Sequence, residues 1–381
     1  MASKGKCCRC RPILPFTRHP FRRKYRRAGK GLGFLVRSIP DSQHFGIHSS
    51  AQVKERFTEW NRLAASKFGD KPYKWILICG DIANMYDELD HGGIMPAISW
   101  MCDELAGWIG RRKGSIKGLT INMVNNEVVA GHRYEDFDVY ISLEELVEIS
   151  DYDNRHCWLQ CRDKVYARLL GVPMGGLLSP HKANGTLGHR ESLLLRLLES
   201  LGLIGGGVRF MDDVVLALAV SCEKDEVLAE WWIDLVCGSR GYPSPLKLEV
   251  EERSSSYKFL ELIVSAVGKS LVVEFHSKYE TAMKSGAGTY YTRFPSGKDA
   301  MTRRERNVYV TGHLHRIIDG AMFGDSIEEA VLLLLSKEVV AAGWQVNTVQ
   351  TALFAMLESD KEVWCKEKLR EVLGTFNRMM G

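Results

Sequence analysis

Apolar residues recur every three or four positions across residues 51–67, where Val53, Phe57, Trp60 and Ala64 form one stripe and predict an amphipathic helix. The next apolar run, residues 74–79, is short and nearly unbroken, the pattern of a buried strand, and it leads straight into Gly80-Asp81. A second helix is expected over residues 95–109, then short strands at 119–124 and 127–130 around Asn125-Asn126. Residues 156–170 alternate in polarity about Arg162-Asp163 and read as a hairpin, with Cys157 and Cys161 on one face that reads as core. A glycine-rich loop at 171–180 precedes a helix reaching about residue 201, whose stripe is Ala183, Leu187, Leu194 and Leu198. Residues 208–220 are a second hairpin with Asp212-Asp213 at its tip. A helix at 226–236, a strand at 246–251 and a third hairpin at 259–275, turning near Val267-Gly268, follow. The remainder is mostly helical, with a capping box, Ser326-x-x-Glu329, ahead of the apolar residues 331–335. Helices mixed with mainly antiparallel hairpins point to an α+β fold rather than a doubly wound sheet.

Composition narrows the class. Apolar residues make up 45% of the chain and charged residues 26%, enough for a sizeable core. No apolar run approaches the roughly 20 residues of a membrane span, and no signal-peptide core follows the start, so an intracellular protein without a membrane partner is expected. The ten cysteines are scattered and read as reduced thiols. Cys7, Cys8 and Cys10 have no second pair at zinc-finger spacing and read as part of a basic tail. Residues 1–40 hold twelve Lys and Arg and no acid, which leaves 39 basic residues against all 47 acidic ones in the rest. Such an arm suits nucleic-acid phosphates, a nuclear signal or an organellar presequence, or else serves only as a solubilising tail.

Three aspartates stand where carboxylates are costly. Asp81 ends an apolar strand, and Asp212-Asp213 interrupts the apolar hairpin. Carboxylates at the ends of buried strands repel one another unless cations neutralise them. Oxygen ligands suit Mg²⁺ or Mn²⁺, and two such ions about 3.5–4 Å apart serve in-line attack at phosphorus. Taken alone, Asp-Asp at a hairpin tip is ordinarily just a turn. The loop Gly171-Val172-Pro173-Met174-Gly175-Gly176 lacks the Lys-Ser/Thr ending of a nucleotide-binding phosphate loop.

The order of the segments adds weight. Gly80-Asp81-Ile82-Ala83-Asn84-Met85-Tyr86 resembles the first palm motif of reverse transcriptases, an Asp followed five residues later by an aromatic. The run from Gly171 through Ser179-Pro180 resembles their second motif, and Arg209-Phe210-Met211-Asp212-Asp213 their third. Lys258-Phe259-Leu260-Glu261-Leu262 resembles the hairpin that supports the primer end. The extended first motif through Ile94, the hairpin ending Arg168-Leu169-Leu170, and Asn184 with Glu191 are most similar to Penelope-like retroelement reverse transcriptases. The similarity covers roughly residues 70–320.

That resemblance implies a right hand with short fingers, a palm around an antiparallel sheet and a helical thumb. Residues 1–40 are then a basic, unstructured arm, residues 41–275 fingers and palm, and residues 276–381 a thumb-like region. It implies an RNA-directed DNA polymerase with two Mg²⁺ or Mn²⁺ ions, acting on an RNA/DNA primer–template with deoxyribonucleoside triphosphates. Asp81, Asp212 and Asp213 would be the catalytic, metal-binding carboxylates, with the Ile82 carbonyl completing a metal shell. Tyr86 would lie under the sugar of the incoming nucleotide, and Met174, Gly175 and Gly176 against the nascent base pair. Lys247 would be a general acid for pyrophosphate, or else a solvated strand lysine. Phe259 and Leu260 would support the primer. Arg303, Arg304 and Arg306 would face the duplex backbone, or else form an exposed helix face. Arg37 and Lys74 are the candidates for gripping the triphosphate. Two other readings stay open: a catalytically inactive retroelement-derived nucleic-acid-binding remnant, and an RNA-dependent RNA polymerase, which would favour a polar residue where Tyr86 stands.

Overall fold

The glycine-rich stretch after Arg22 is a helix. In the computed structural model, which describes residues 20–113, 116–161, 164–276, 301–320, 331, 343–358 and 363–380, α1 spans Arg22–Ser38. It buries Tyr25, Ala28, Leu32, Leu35 and Val36, a helical stripe that the surrounding charge run conceals. The expectation of an unstructured arm therefore fails from Arg22 onward, while residues 1–19, with Cys7, Cys8 and Cys10, lie outside the described residues. Its glycines are sites of close approach. A Cβ on Gly29 would stand 2.5 Å from the Leu177 carbonyl oxygen, and one on Gly33 would stand 2.8 Å from the His181 ring.

The chain divides into two compact units, and the division departs from the expected boundaries. One comprises the described parts of residues 1–46, 80–214 and 224–251; the other comprises those of 47–79, 215–223 and 252–381. In the first unit α1 packs on α4 (His91–Lys113), α5 (Leu143–Arg155) and α6 (Ser179–Ser200). It also packs on the antiparallel sheet β3-β2-β4 (Val128–Ala130, Gly118–Asn122, Asp138–Ser142). The strand β4 and the helix α5 were not foreseen. The signal was present, because Ser142 caps α5 by accepting from the Glu145 N–H at 2.9 Å, the spacing of a capping box. In α6, Ala183, Leu187, Leu194 and Leu198 are all buried as their stripe predicts. Gly185 admits α4: its Cβ would stand 2.7 Å from the Met101 methyl. The predicted hairpin at 156–170 forms as β5 (Trp158–Cys161) and β6 (Lys164–Ala167), but it is no core element, because β6 and Trp158 are exposed.

A four-stranded sheet runs β7-β8-β1-β9, comprising Ile204–Phe210, Asp213–Val220, Lys74–Ile82 and Leu248–Val250. Of β1 and β8, Gly80–Ile82 and Asp213–Val214 belong to the first unit. Every residue of β8 after Asp213 is buried, as its unbroken apolar run requires. The short helix α3 (Met85–Glu88) follows β1, and α7 (Glu223–Cys237) follows β8.

In the second unit, the expected third hairpin is a three-stranded meander, β10 (Ser256–Phe259), β11 (Leu262–Val267) and β12 (Ser270–Phe275). It packs on α2 (Ala51–Phe68), which also meets α8 (Arg303–Gly320). The helix α9 (Val346–Leu357) packs on α8 and on α10 (Val363–Met380). The capping box at Ser326 lies outside the described residues. No described helix is long and apolar enough to cross a membrane.

Candidate active site

Backbone pairing sets the aspartates of the first unit side by side. Residues 80–82 pair antiparallel with β9, Asp81 opposite Glu249. Only glycine fits before it, since a Cβ on Gly80 would meet the Glu249 carbonyl oxygen at 2.6 Å. On the other flank the Ile82 N–H donates to the Asp212 carbonyl at 2.8 Å, and one residue on, the Ala83 N–H donates to the Lys247 carbonyl at 3.1 Å. Asp81 is thus held between the Asp212 turn and the segment of Lys247. Asp81 and Asp213 are exposed, Asp212 is half-buried, and the Lys247 side chain is exposed.

The segment after Asp81 is sewn to the glycine-rich loop. The Tyr86 carbonyl accepts the Val172 N–H and the Leu89 carbonyl the Gly171 N–H, both at 2.7 Å, and the His91 ring bonds the Gly171 carbonyl at 2.6 Å. Gly171 has φ +75° and Gly175 φ +88°, backbone that favours glycine. Met174 is half-buried, Gly175 exposed and Gly176 buried, where a Cβ would strike the Ser179 hydroxyl. The half-buried Tyr86 ring reaches toward the turn, its hydroxyl 3.8 Å from the Met211 sulfur. Burial, and then the Asp212 charge, hold its phenol above the ordinary value, against the opposing pull of Arg209.

Beneath the turn lies a buried polar cluster to which the motifs in the sequence assign no role. Arg209 and Glu191 form an ion pair, with side chains only 1% and 0% exposed. Arg209 Nη1 also donates to Asn184 Oδ1 at 2.8 Å and to the Met211 carbonyl at 2.9 Å. Glu191 accepts in addition from the Phe45 N–H at 3.0 Å and from the Tyr242 hydroxyl at 3.2 Å. Burial opposes the Arg209 charge, but Glu191 outweighs it and holds the guanidinium above its ordinary range. Burial and Glu191 push the Tyr242 phenol up, so it stays a donor. Lys182 is a second such group: its ammonium bonds Ser150 O, Asp153 and Asn154 at 3.1, 2.5 and 2.7 Å. The signal in sequence was a charge inside an apolar stripe, Arg209 between Val208 and Phe210 and Lys182 beside Ala183.

Other predicted residues stand apart from this cluster. Phe259, buried, and Leu260, with φ +57°, belong to the second unit. There Arg304 is exposed, while the Arg306 guanidinium lies 5.8 Å from the Trp344 ring centre, so it is an internal contact rather than an open one. The Arg303 side chain lies outside the described residues. Arg37 is exposed on α1 in the first unit, and Lys74 is exposed in the second. Cys79, Cys102, Cys157, Cys222 and Cys237 are free thiols.

The donor chemistry suits a hard divalent ion, because the groups gathered at these strand ends are carboxylates and backbone oxygens. Among the described residues no three His, Cys, Asp or Glu side chains already converge as an ion cage.

No protein-family model matches the sequence, and no curated protein does. Telomerase from Candida albicans, solved in complex with a TWJ fragment of telomeric RNA, is similar at TM-score 0.58 and 14% identity. The match covers 92% of this chain and 53% of that one. Apo telomerase from Candida tropicalis is similar at TM-score 0.50 and 13% identity, covering 94% and 58%. The fold is reverse-transcriptase-like. The chain therefore spans little more than half the length of these telomerases, and at such identity the likeness is one of fold. Asp81 and Asp212-Asp213 occupy neighbouring strand ends in this fold.

Proposed function

We propose that the chain is an RNA-directed DNA polymerase that transfers a deoxynucleotide to a primer 3′-hydroxyl on an RNA/DNA primer–template and releases pyrophosphate. The observation that carries this reading is the bond from the Ile82 N–H to the Asp212 carbonyl, which joins two aspartate-bearing segments in a reverse-transcriptase-like fold. Asp81, Asp212 and Asp213, with the Ile82 carbonyl, would hold two divalent ions, Mg²⁺ or Mn²⁺. When bound, these supply activation of the 3′-hydroxyl and neutralisation of the triphosphate. Tyr86 closes the sugar side of the nucleotide. Met174, Gly175 and Gly176 lie along the base pair, where small residues permit close approach. Lys247, its side chain exposed beside the Asp81 strand, donates a proton to pyrophosphate. Phe259 and Leu260 support the primer, and Arg304 contacts the duplex backbone. The Penelope-like assignment rests on the extended first motif and on the chain segment from Arg168 to Glu191.

Primer extension by purified protein, with RNA and DNA templates, either nucleotide type and added Mg²⁺ or Mn²⁺, tests the proposal. Metal-dependent deoxynucleotide addition on RNA supports it. Nucleic-acid binding without extension makes the chain a binding remnant, and a preference for ribonucleotides makes it an RNA polymerase.

A further inference from the structure

We infer that the buried Arg209–Glu191 pair, together with Asn184, is a positioning device that sets the Met211–Asp212 turn against the end of β1; the inference rests on the polymerase reading above. A buried ion pair is a poor choice for stability alone. Apolar residues of similar volume commonly stabilise as well or better, so such a pair calls for a role in geometry. Here the geometry is specific. The guanidinium reaches both Glu191 oxygens, Asn184 Oδ1 and, at 3.5 Å, the Asn184 carbonyl. Its remaining bond, at 2.9 Å, goes to the Met211 carbonyl, the oxygen of the peptide that enters Asp212. Holding that oxygen fixes the plane of this peptide, because it is rigid.

The turn needs such a hold. Met211 is a non-glycine residue at φ +57°, in the left-handed region that costs free energy unless its surroundings impose it. Asn184 grips the same residue from its other side, its amide 3.6 Å from the Met211 sulfur. The next carbonyl, that of Asp212, takes the Ile82 N–H at 2.8 Å. Successive carbonyls thus tie the turn downward to Arg209 and sideways to the Asp81 strand. Glu191 is itself fixed from two other segments, through the Phe45 N–H and the Tyr242 hydroxyl, so the anchor cannot drift with the turn.

Two variants test this, each checked for native circular dichroism. Arg209→Lys keeps a charge opposite Glu191, but a single ammonium cannot reproduce the planar fork. Asn184→Ala leaves the ion pair whole and removes only the clamp, so it remains informative even if Arg209→Lys fails to fold. Two readouts are used: Mn²⁺ binding by electron paramagnetic resonance, with no nucleotide or primer present, and extension kinetics against Mg²⁺ concentration. The expected result is weakening of Mn²⁺ binding and of Mg²⁺ half-saturation by about tenfold or more, and a kcat lower by about ten- to a hundredfold. The KM for primer–template should change by less than about threefold. A purely structural role would lower the melting temperature and leave the metal dependence of the folded fraction unchanged, and that outcome overturns the inference. If the wild type does not extend primers, the polymerase reading falls. The Mn²⁺ arm still decides this one, and equal binding by wild type and variants, or none by any, overturns it.

Discussion

At the scale of single residues, Asp212 is the sharpest point. Asp212→Asn keeps the side chain's volume and removes one charge from a site proposed to hold two dications. Extension should fall by about three decades, about 4 kcal/mol of barrier, in a protein that still folds. A rate within tenfold of wild type removes Asp212 from the chemistry. Tyr86 carries a second expectation, about sugar choice. Its ring lies on the segment leaving the Asp81 strand and reaches the Met211 side chain beside Asp212. On the proposed reading a ring there would fill the space of a ribose 2′-hydroxyl, and a built clash discriminates more strongly than added contact. In Tyr86→Ala, the ratio of ribonucleotide to deoxyribonucleotide kcat/KM should rise by about tenfold or more. An unchanged ratio in a folded variant makes Tyr86 a core aromatic and favours the RNA-polymerase reading. The aspartates were legible because a carboxylate that breaks an apolar run is conspicuous. The partnership of Arg209 with Glu191 was not, since eighteen residues separate them and only the packing of α6 on β7 brings them together.

At the scale of elements, α1 is where the sequence misled. Six of its first nine residues, Arg22 to Lys30, add to the charge run, and its glycines read as linker. Yet Gly29 and Gly33 lie four residues apart on the face that meets the loop into α6 and the start of α6 itself. Glycine in an exposed helix usually costs about 0.5–1 kcal/mol relative to alanine, so a glycine at a tight contact should show the reverse sign. Gly29→Ala drives a methyl into the Leu177 carbonyl at 2.5 Å, a backbone atom that cannot rotate away. It should destabilise by about 1–3 kcal/mol. Gly312→Ala in α8, with nothing within 4 Å of the new Cβ, should stabilise by about 0.5–1 kcal/mol. Urea unfolding of both variants checks the pair, and a stabilising Gly29→Ala would mean that α1 does not pack as described. The helices α2, α4, α6 and α7 and the strands around both aspartate segments were legible because their apolar period is long and unbroken. Elements whose signal is a cap or a glycine contact were not.

For the whole molecule, buried titratable groups fix how stability responds to alkali. Burial raises the phenols of Tyr25, Tyr86 and Tyr242 above their ordinary value of 10.0, with acidic neighbours adding to it in each case. Burial likewise pushes the Cys102 thiol up to about 11 and raises that of Cys157. Each such group keeps its proton in the folded state after the unfolded chain has released it. Over that window the folded state binds more protons, so stability falls as pH rises. Lys30 and Lys182 act oppositely, since burial lowers both below 10.5 and the unfolded chain holds their protons longer. Their contribution grows with pH only until the unfolded lysine has itself titrated. Above pH about 10.5 more than half of the unfolded lysine has titrated and its opposing effect fades, while the raised phenols and the Cys102 thiol still hold protons that the unfolded chain has lost, so the fall in stability prevails. Urea midpoints should therefore decline between pH about 10.5 and about 11.5, and Tyr242→Phe should decline less steeply than wild type. At neutral pH none of these phenols is ionised, so on the proposed reading Tyr86 would meet a nucleotide as an uncharged ring, and the expected sugar discrimination should not vary between pH about 7 and about 9. A rising midpoint across the alkaline window, or identical slopes for wild type and Tyr242→Phe, would show that Tyr242 is not sealed against Glu191, and with it that the anchor beneath the Asp212 turn is open to water.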